Sequence, residues 1–306
     1  MRIGLMIGGT PVPDRSLNGL VKLGQRIEQL GLKDLWMAHI SDHDALLALA
    51  IIGRETHTLG LGTAVTAVYP RHPLALAQQA LSAGTASNGR FKLGIGLAHK
   101  VVVENSWGFS YDKPAKYMRE YLTVLSRLMA GEKVSFEGKN FNVHGLAINI
   151  SDPQPVPILL AALGPVMLKL AGEMGDGTIT WMSGEKTLGE YIIPSINQAA
   201  DNAGKPPPSI VACVPLSLTN NVDAARESLN KKLMVYGQLP SYRAMLDREG
   251  ATHPAEVSLV GDEVALRAGI QRLKDIGVTD FGAAIVAEDD AEFDRTLEFL
   301  GSECGT

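Results

Sequence analysis

The chain has few cysteines, few aromatic residues and no long apolar run, and each shortage excludes a class of protein. Cys213 and Cys304 are the only cysteines among the 306 residues. Two distant cysteines cannot build a disulfide framework or a structural zinc site, and their scarcity is typical of a reducing cytoplasm. No segment approaches the roughly 18 consecutive apolar residues of a membrane span. We therefore expect no membrane partner.

Basic clusters are also missing. The net charge is −5, and no run of Lys or Arg is long enough to follow a phosphate backbone. The first residues, MRIGLMIGG, enter a strand-like run at once, without a basic leader or a cleavage site. We expect a cytoplasmic protein that does not bind nucleic acid.

Aromatic residues make up only 6% of the chain, so Ala, Leu, Val and Ile must form the core, as in buried parallel strands. Short β-branched runs alternate with amphipathic helical runs, which is typical of repeated βα units. The pattern predicts eight strands at Arg2–Ile7, Asp34–His39, Gly60–Thr66, Phe91–Ile95, Val156–Leu160, Gly177–Trp181, Ile210–Leu216 and Asp280–Val286. It predicts helices at Ser16–Leu30, Asp42–Thr58, Leu74–Ala86, Lys113–Ala130, Pro165–Met174, Thr187–Ala203, Asp223–Tyr236, Asp262–Ile276 and Asp290–Leu300.

Eight such units favour an α/β fold, a closed (β/α)8 TIM barrel forming one domain over residues 1–306. An open doubly wound sheet with two lobes is the alternative. Two segments are additions to the eight βα units of a minimal barrel. The first, Gly131–Val143, is predicted to be a hairpin after the fourth helix. Tyr236–Leu259 is predicted to be a mixed insertion before the eighth strand. Such insertions are lids, subunit contacts or surface decoration.

Two glycine-containing segments follow predicted strands. Gly94-Ile-Gly96-Leu-Ala-His99 lacks the third glycine of a dinucleotide fingerprint, so its glycines indicate either a close backbone approach or a tight turn. Ala161-Ala-Leu-Gly-Pro165 joins a buried strand to a helix, and Pro165 suits the first helical position. The free N–H groups of that helix end predict a phosphate site, although a simple βα turn explains the same residues.

Three histidines follow predicted strands: His39, His72 and His99. In a barrel they would share one rim, where histidine suits proton transfer near neutral pH. Asp42 and Asp44 are better explained as helix-capping and first-turn acids than as metal ligands with His39, and we expect no metal.

Trp181 and Met182 end the sixth strand and would form a wall of a pocket for a planar ligand on the same rim.

Four segments resemble the bacterial-luciferase-like superfamily of barrel oxidoreductases, in the branch that uses the deazaflavin coenzyme F420 and includes the methylenetetrahydromethanopterin reductases. They are LGTAVTAVYPRHPLALAQQA, SNGRFKLGIG, GEKVSFEGKNF and PVPILLAALGPVMLKLAGEMGDGTITWM. The resemblance spans nearly the whole chain. It implies an enzyme with F420 as cofactor, a small-molecule substrate and a homodimeric state.

The resemblance also implies a role for each rim segment. A non-prolyl cis peptide at Ala64–Val65 would support the deazaflavin ring, Gly96–His99 would contact it, Ala161–Pro165 would hold the coenzyme phosphate, and Trp181 and Met182 would line the pocket. The implied coenzyme-binding residues are Thr63, Ala64, Val65, Thr66, Gly96, Leu97, Ala98, His99, Ala161, Ala162, Leu163, Gly164, Pro165, Trp181 and Met182.

The chain departs from its relatives after the second strand, where Ala38-His39-Ile40 precedes a short loop, and after the fourth, where His99 replaces an acidic residue. Both changes argue against glucose-6-phosphate as the substrate. They leave His39 as the first candidate for proton transfer and His99 as the second. The expected function is hydride transfer between F420 and a small organic substrate. The alternatives are an FMN-dependent monooxygenase of the same fold and a non-catalytic flavin- or deazaflavin-binding protein.

Overall fold

A computed structural model describes residues 1–305, and its centre is a closed barrel of parallel strands. The barrel strands are β1 (Arg2–Ile7), β2 (Asp34–Met37), β3 (Gly60–Thr63) with its short continuation β4 (Thr66–Ala67), β5 (Phe91–Gly96), β8 (Ile158–Ala161), β9 (Gly177–Trp181), β10 (Ser209–Leu218) and β12 (Asp280–Ile285). Strand β12 pairs with both β1 and β10, and β10 pairs with β9, which closes the ring. The predicted (β/α)8 barrel is confirmed.

Helices surround the barrel. They are α1 (Leu17–Gln29), α2 (Ala45–Arg54), α3 (Pro73–Ala86), α4 (Pro114–Met129), α5 (Pro165–Met174), α6 (Glu185–Thr187), α7 (Ile193–Asn202), α8 (Val222–Gln238), α9 (Pro240–Glu249), α10 (Glu263–Asp275) and α11 (Asp290–Ser302). A π-helical segment, Leu188–Ile192, joins α6 to α7. None of these helices in residues 1–305 is long and apolar enough to cross a membrane.

Both predicted insertions are present. Strands β6 (Val134–Glu137) and β7 (Asn142–Leu146) form the antiparallel hairpin after α4. The second insertion is more regular than the sequence suggested. It holds α9, a 3₁₀ turn at Pro254–Val257 and a strand, β11 (Leu259–Gly261), that pairs with the end of β10.

Several predicted bounds were wrong for local physical reasons. The strand predicted from Val156 begins at Ile158, because Pro157 has no N–H to donate to a ladder. The helix predicted from Asp42 begins at Ala45, because Asp44 is its N-cap and accepts a hydrogen bond from the backbone N–H of Leu47. The second strand ends at Met37, so His39 lies in the loop beyond it.

Side chains alternate strictly between the barrel interior and the helical layer. Along β2, Leu35 and Met37 join the main core between barrel and helices, whereas Trp36 lies in the separate cluster inside the barrel. The indole of Trp36 is fully buried, and a Cβ atom at Gly62 would lie 2.3 Å from its ring. Glycine at that inward position is therefore what makes room for a tryptophan in an eight-stranded barrel.

Charged side chains fill the barrel at the amino ends of the strands. Lys92 Nζ lies 2.9 Å from a carboxylate oxygen of Asp280 and 3.3 Å from one of Asp34. Both carboxylates are almost fully buried, and the Nε of Arg2 donates to Asp34 at 2.7 Å. This charged layer closes the end of the barrel opposite the predicted site.

We expect Lys92→Met to lower the free energy of unfolding by about 3 kcal/mol, because it removes a cation that lies between two buried carboxylates and leaves them only the partly exposed Arg2. Urea denaturation measures the change. The control is Lys139→Met, which removes an exposed pair with Asp112 and should change stability by less than about 0.5 kcal/mol. Equal effects of the two substitutions would contradict the role assigned to the charged layer.

Candidate active site

The predicted site residues follow five barrel strands at their carboxyl ends, where barrels place their chemistry. His39 follows β2, Thr63–Thr66 spans the break between β3 and β4, and Gly96–His99 ends and follows β5. Ala161–Pro165 joins β8 to α5, and Trp181 and Met182 end and follow β9. Four of these residues, Ala64, Val65, Ala161 and Trp181, pack on the cluster inside the barrel. The fold thus brings the five segments to one rim.

The third strand is broken by a bulge at the predicted position. The Ala64–Val65 peptide bond is cis, which confirms that prediction. Gly62 pairs with Lys92 and Thr66 with Ile95, so the bulged strand has one more residue than its partner between these pairs.

The Thr63 hydroxyl bridges the gap, donating to the carbonyl oxygen of Gly94 at 2.7 Å and accepting from its N–H at 2.9 Å. A buried side chain thus replaces the interrupted ladder.

Three small residues meet beside this bulge. A Cβ atom at Gly96 would lie 2.8 Å from a methyl group of Val65 and 3.2 Å from the Cβ of Ala161. At Gly94 a Cβ atom would lie 2.0 Å from the carbonyl oxygen of Thr63. Glycine is thus needed at both positions for close approach, one of the two interpretations of this segment. The result is a floor of short side chains between β3, β5 and β8.

The backbone is left-handed at two rim positions that carry side chains. Ala98 has φ of 61° and Met182 has φ of 53°, a region that non-glycine residues seldom adopt and that is enriched at functional sites. The hydroxyl of Tyr111 donates to the carbonyl oxygen of Ala98 at 3.3 Å. This hydrogen bond holds the loop after β5 at the residue next to His99.

His39 is the most constrained of the rim histidines. Its side chain is 15% exposed, and Nε2 lies 3.0 Å from a guanidinium nitrogen of Arg71. Burial and then the positive charge of Arg71 lower the pKa of His39, while the nearby carboxylate of Asp44 opposes them. Burial also lowers the pKa of His99. Both imidazoles are therefore neutral at pH 7 and able to accept a proton.

His72 does not join them. It is exposed and is the N-cap of α3, where Nδ1 accepts from the backbone N–H of Leu74 at 3.1 Å. Its ring packs edge-on against Phe141 of the hairpin. His72 therefore lies on the expected rim of the barrel but faces the hairpin, whereas its neighbour Arg71 reaches His39.

The N-terminus of α5 differs from most others at this end of the barrel. Side chains of Ser16, Asp44, His72, Asn221 and Asp289 cap the helices α1, α2, α3, α8 and α11. Within residues 1–305, no side chain caps α5, whose N-cap is Gly164 and whose first residue is Pro165. A Cβ atom at Gly164 would meet nothing within 4 Å.

Helix α4 is also uncapped, but it begins well beyond β5. The N-terminus of α5 is thus a free, open position for an anion directly after a barrel strand.

The second insertion covers part of the rim. The sequence did not decide whether this insertion is a lid, a subunit contact or surface decoration. The ring of Tyr242 lies 5.6 Å from that of His99, and Tyr236 contacts both Tyr242 and Trp181 at 5.3 and 6.0 Å between centroids. Four aromatic rings therefore span the mouth from the β5 loop to β9. Nothing in the periodicity of the sequence indicated Tyr236 or Tyr242.

Glu249 fastens this insertion to the barrel. Its carboxylate accepts from the backbone N–H groups of Lys186 and Thr187 at 3.1 and 2.7 Å, and so caps α6 from a distant part of the chain. A Cβ atom at Gly184 would lie 2.2 Å from the carboxyl carbon, so only glycine leaves room for it. The helix end after β9 is therefore filled by the protein itself.

No group of His, Cys, Asp and Glu side chains within residues 1–305 is arranged to hold a metal ion. Near His39, the side chain of Asp42 pairs with Arg15, and the ring of His43 contacts the carbonyl oxygen of Arg15. Asp44 is the N-cap of α2, so the capping role predicted for this pair of acids falls on Asp44, and Asp42 lies before the helix.

A closed βα barrel whose candidate site lies at the carboxyl ends of its strands has the architecture of the barrel enzymes. Residues 1–283 match the model of the luciferase-like monooxygenase family, and the chain belongs to that family. This confirms the superfamily that the four sequence segments indicated.

Two sequence relatives carry the names of oxidoreductases, one a reductase and one a dehydrogenase. The chain is 30% identical to a 5,10-methylenetetrahydromethanopterin reductase of Archaeoglobus fulgidus, over 80% of this chain and 73% of the relative. It is 27% identical to an F420-dependent glucose-6-phosphate dehydrogenase of Kineococcus radiotolerans, over 90% and 84%.

Solved structures share the fold. The coenzyme F420 dependent tetrahydromethanopterin reductase of Methanopyrus kandleri superposes with a TM-score of 0.81 at 21% identity, covering 99% of this chain and 98% of the other. The oxygenating constituent of 3,6-diketocamphane monooxygenase of Pseudomonas putida, in complex with FMN, gives 0.78 at 15% identity, covering 99% and 98%.

We expect Glu249→Ala to loosen the insertion without unfolding the barrel. Losing a helix cap costs about 1 kcal/mol, and the amide protons of α8 and α9 should exchange faster with solvent. Hydrogen exchange followed by mass spectrometry measures this. Glu227→Ala, which removes only an exposed pair within α8, is the control and should leave the exchange unchanged. Unaltered exchange in Glu249→Ala would refute the fastening role.

Proposed function

We propose that this chain is an F420-dependent oxidoreductase that oxidises or reduces a small organic substrate at the carboxyl end of the barrel. One observation carries the proposal: the uncapped, open N-terminus of α5 lies beside the cis bulge and its floor of small residues. The name of the Kineococcus relative supports F420 as the coenzyme.

The residues present fit such a coenzyme. The small-residue floor of Val65, Gly96 and Ala161 offers a flat support for a ring, and a side chain at position 96 would disturb it. The N–H groups at the start of α5, next to Gly164, suit the phosphate. When bound, the coenzyme supplies or accepts a hydride at C5 of its deazaflavin ring.

The proposed holders are the residues that the family resemblance named. Thr63–Thr66 would support the ring, Gly96–His99 would contact it, Ala161–Pro165 would hold the phosphate, and Trp181 and Met182 would line the pocket. Trp181 contacts Tyr236, so the insertion shapes the same wall.

His39 is the proposed proton-transfer residue, with His99 second. The neutral imidazole of His39 can take a proton from a substrate oxygen during oxidation, and the resulting imidazolium can return one during reduction. Its position after β2 lies beside the bulge, because the backbone N–H of His39 donates to the carbonyl oxygen of Val65 at 3.4 Å. This contact connects the acid–base group to the proposed ring support.

An FMN-dependent monooxygenase is the second candidate. It is favoured by the family to which the chain belongs and by the shared fold of the FMN-bound camphane enzyme. Both coenzymes carry a phosphate and a tricyclic ring, so the same cradle suits either. A direct measurement of binding distinguishes F420 from FMN as the coenzyme.

Because Trp181 lies in the proposed pocket, a coenzyme bound there should quench tryptophan fluorescence. If F420 is the coenzyme of this chain, it should quench at lower concentration than FMN. Gly164→Asp should weaken F420 binding at least about tenfold, since its carboxylate would cap α5 and repel the phosphate. The same substitution should raise the free energy of unfolding by about 0.3 kcal/mol, because glycine is already a fair N-cap residue.

Gly164→Asn is the matched control, because it supplies a similar cap without charge. It should stabilise the chain comparably and weaken binding less. Tight FMN binding without any response to F420 would overturn the proposed coenzyme and favour the FMN-dependent alternative. F420 binding without reduction by any donor would indicate a non-catalytic binding protein.

We expect His39→Ala to reduce turnover about 100-fold or more, with the dissociation constant of F420 changed less than about threefold. Steady-state assays should use a substrate that the wild-type chain turns over in a screen of small alcohols. His43→Ala is the control, because that ring lies in the same loop and contacts Arg15. Wild-type turnover in His39→Ala would remove this histidine from the mechanism.

A further inference from the structure

The imidazole of His39 lies against two oppositely charged side chains from different loops. Arg71, from the loop between β4 and α3, places a guanidinium nitrogen 3.0 Å from Nε2. Asp44, at the N-terminus of α2, places Oδ2 3.8 Å from the same nitrogen. Arg71 and Asp44 also pair directly at 3.0 Å. The three groups form one partly buried cluster at the rim.

The hydrogen-bonding chemistry of this cluster decides which form of the imidazole fits. A guanidinium can only donate, so Nε2 must present its lone pair to Arg71. On the other side of the ring, the backbone nitrogen of Ala45 lies 3.4 Å from Nδ1, and the Thr66 hydroxyl lies 3.5 Å from it. A neutral imidazole has one lone pair and one N–H, so the closer donor, Arg71 at 3.0 Å, takes the lone pair of Nε2, and the Nδ1–H can donate to Thr66. A proton added at Nε2 would point at a cation. The geometry therefore selects neutral His39 with an Nε2 lone pair that accepts from Arg71.

Asp44 has two further effects. Its Oδ1 accepts from the backbone N–H of Leu47 at 3.1 Å, which holds the carboxylate at the helix end, and its Oδ2 orients Arg71. Although burial opposes it, the Leu47 hydrogen bond, His39 and Arg71 together keep the pKa of Asp44 below its usual range. Asp44 is thus ionised at neutral pH and is the acceptor nearest Nε2 once that atom is protonated.

Arg71 is itself fixed. Its side chain is 17% exposed, and its carbonyl oxygen accepts from the hydroxyl of Tyr121 at 3.1 Å. The charged side chains facing His39 are Arg71 and Asp44, and β4 and the start of α2 add only the neutral Thr66 and Ala45 groups.

We propose that Arg71 and Asp44 are positioning residues of His39 that act in opposite senses. Arg71 donates to Nε2 and keeps the ring neutral, and Asp44 accepts from the Nε2–H once Arg71 has given way to an incoming proton. This inference rests on the proposed role of His39 and concerns the protein residues alone. Neither residue needs to touch substrate or coenzyme for the effect.

The signs of the two effects follow from Coulomb's law. The positive charge of Arg71 lowers the pKa of His39, and the negative charge of Asp44 raises it. Removing Arg71 should therefore raise that pKa, and neutralising Asp44 should lower it. A purely structural role of these residues would not produce shifts of opposite sign.

The test is an NMR titration of the histidine side chains in the full-length, coenzyme-free chain, with the His39 signal assigned by its loss in His39→Ala. We expect Arg71→Met to raise the pKa of His39 by about 1 pH unit or more. Asp44→Asn, which keeps a good N-cap for α2, should lower it by a similar amount. Asp42→Asn is the control, because Asp42 pairs with Arg15 instead, and it should leave the pKa unchanged.

Shifts of the same sign, or no shift in Asp44→Asn, would overturn the proposal even if Arg71→Met fails to fold. The pH profile of kcat/KM gives the second readout, and its acidic limb should move upward in Arg71→Met and downward in Asp44→Asn. If the NMR shifts occur while this limb stays in place, the cluster is as proposed but His39 is not the group that transfers the proton. The failure of the proposed function is thus distinguishable from the failure of this inference.

Discussion

The filling of the barrel interior around Trp36 is the constraint on which the rest of the structure depends. An eight-stranded barrel is only wide enough to be filled by side chains, and one buried indole uses much of that space. Gly62 stands where a Cβ atom would strike the ring, and Lys92 lies 5.1 Å from its centroid. Bulk and charge therefore fill the amino end. The small residues Gly96 and Ala161 lie towards the carboxyl end, where they form the floor of the candidate site.

Helix capping decides where an anion can bind at that end. The N-termini of α1, α2 and α3 receive side-chain caps from the residues directly before them, and α6 receives Glu249 from the insertion. A phosphate at any of these ends would have to displace a built-in acceptor. The end of α5 needs no such displacement, so stability and ligand binding do not compete there.

Most of the barrel could be predicted from the sequence, because buried parallel strands leave an apolar pattern and helix ends carry Gly or Pro. Gly31 and Gly277, just after the ends of α1 and α10, have the left-handed φ that is typical of residues that end a helix. The break in the third strand could not be predicted from the periodicity of the sequence, and only the family resemblance indicated it. Contacts between distant loops, such as that of Tyr242 with His99, leave no local signal at all.

The segment Pro70-Arg71-His72-Pro73 shows why a reactive side chain is an uncertain guide to a site. His72 attracted attention by its chemistry, yet Pro73 begins a helix and so makes the preceding residue its N-cap. Pro73 was visible in the sequence, and it indicated a capping role for His72 rather than a role in the site. The direction of Arg71 towards His39 depends on the turn between β4 and α3, which no pattern of residue types specifies.

Cys213 connects barrel closure to chemical reactivity. Its side chain is 1% exposed, its sulfur lies 2.8 Å from the position of a Cβ atom on Gly282, and burial raises the pKa of the thiol. A thiol with these properties is inert while β9, β10 and β12 remain paired. The rate at which Cys213 is alkylated would therefore report how often the barrel wall opens. The alkylation rate of the half-buried Cys304 would report local opening near residue 304.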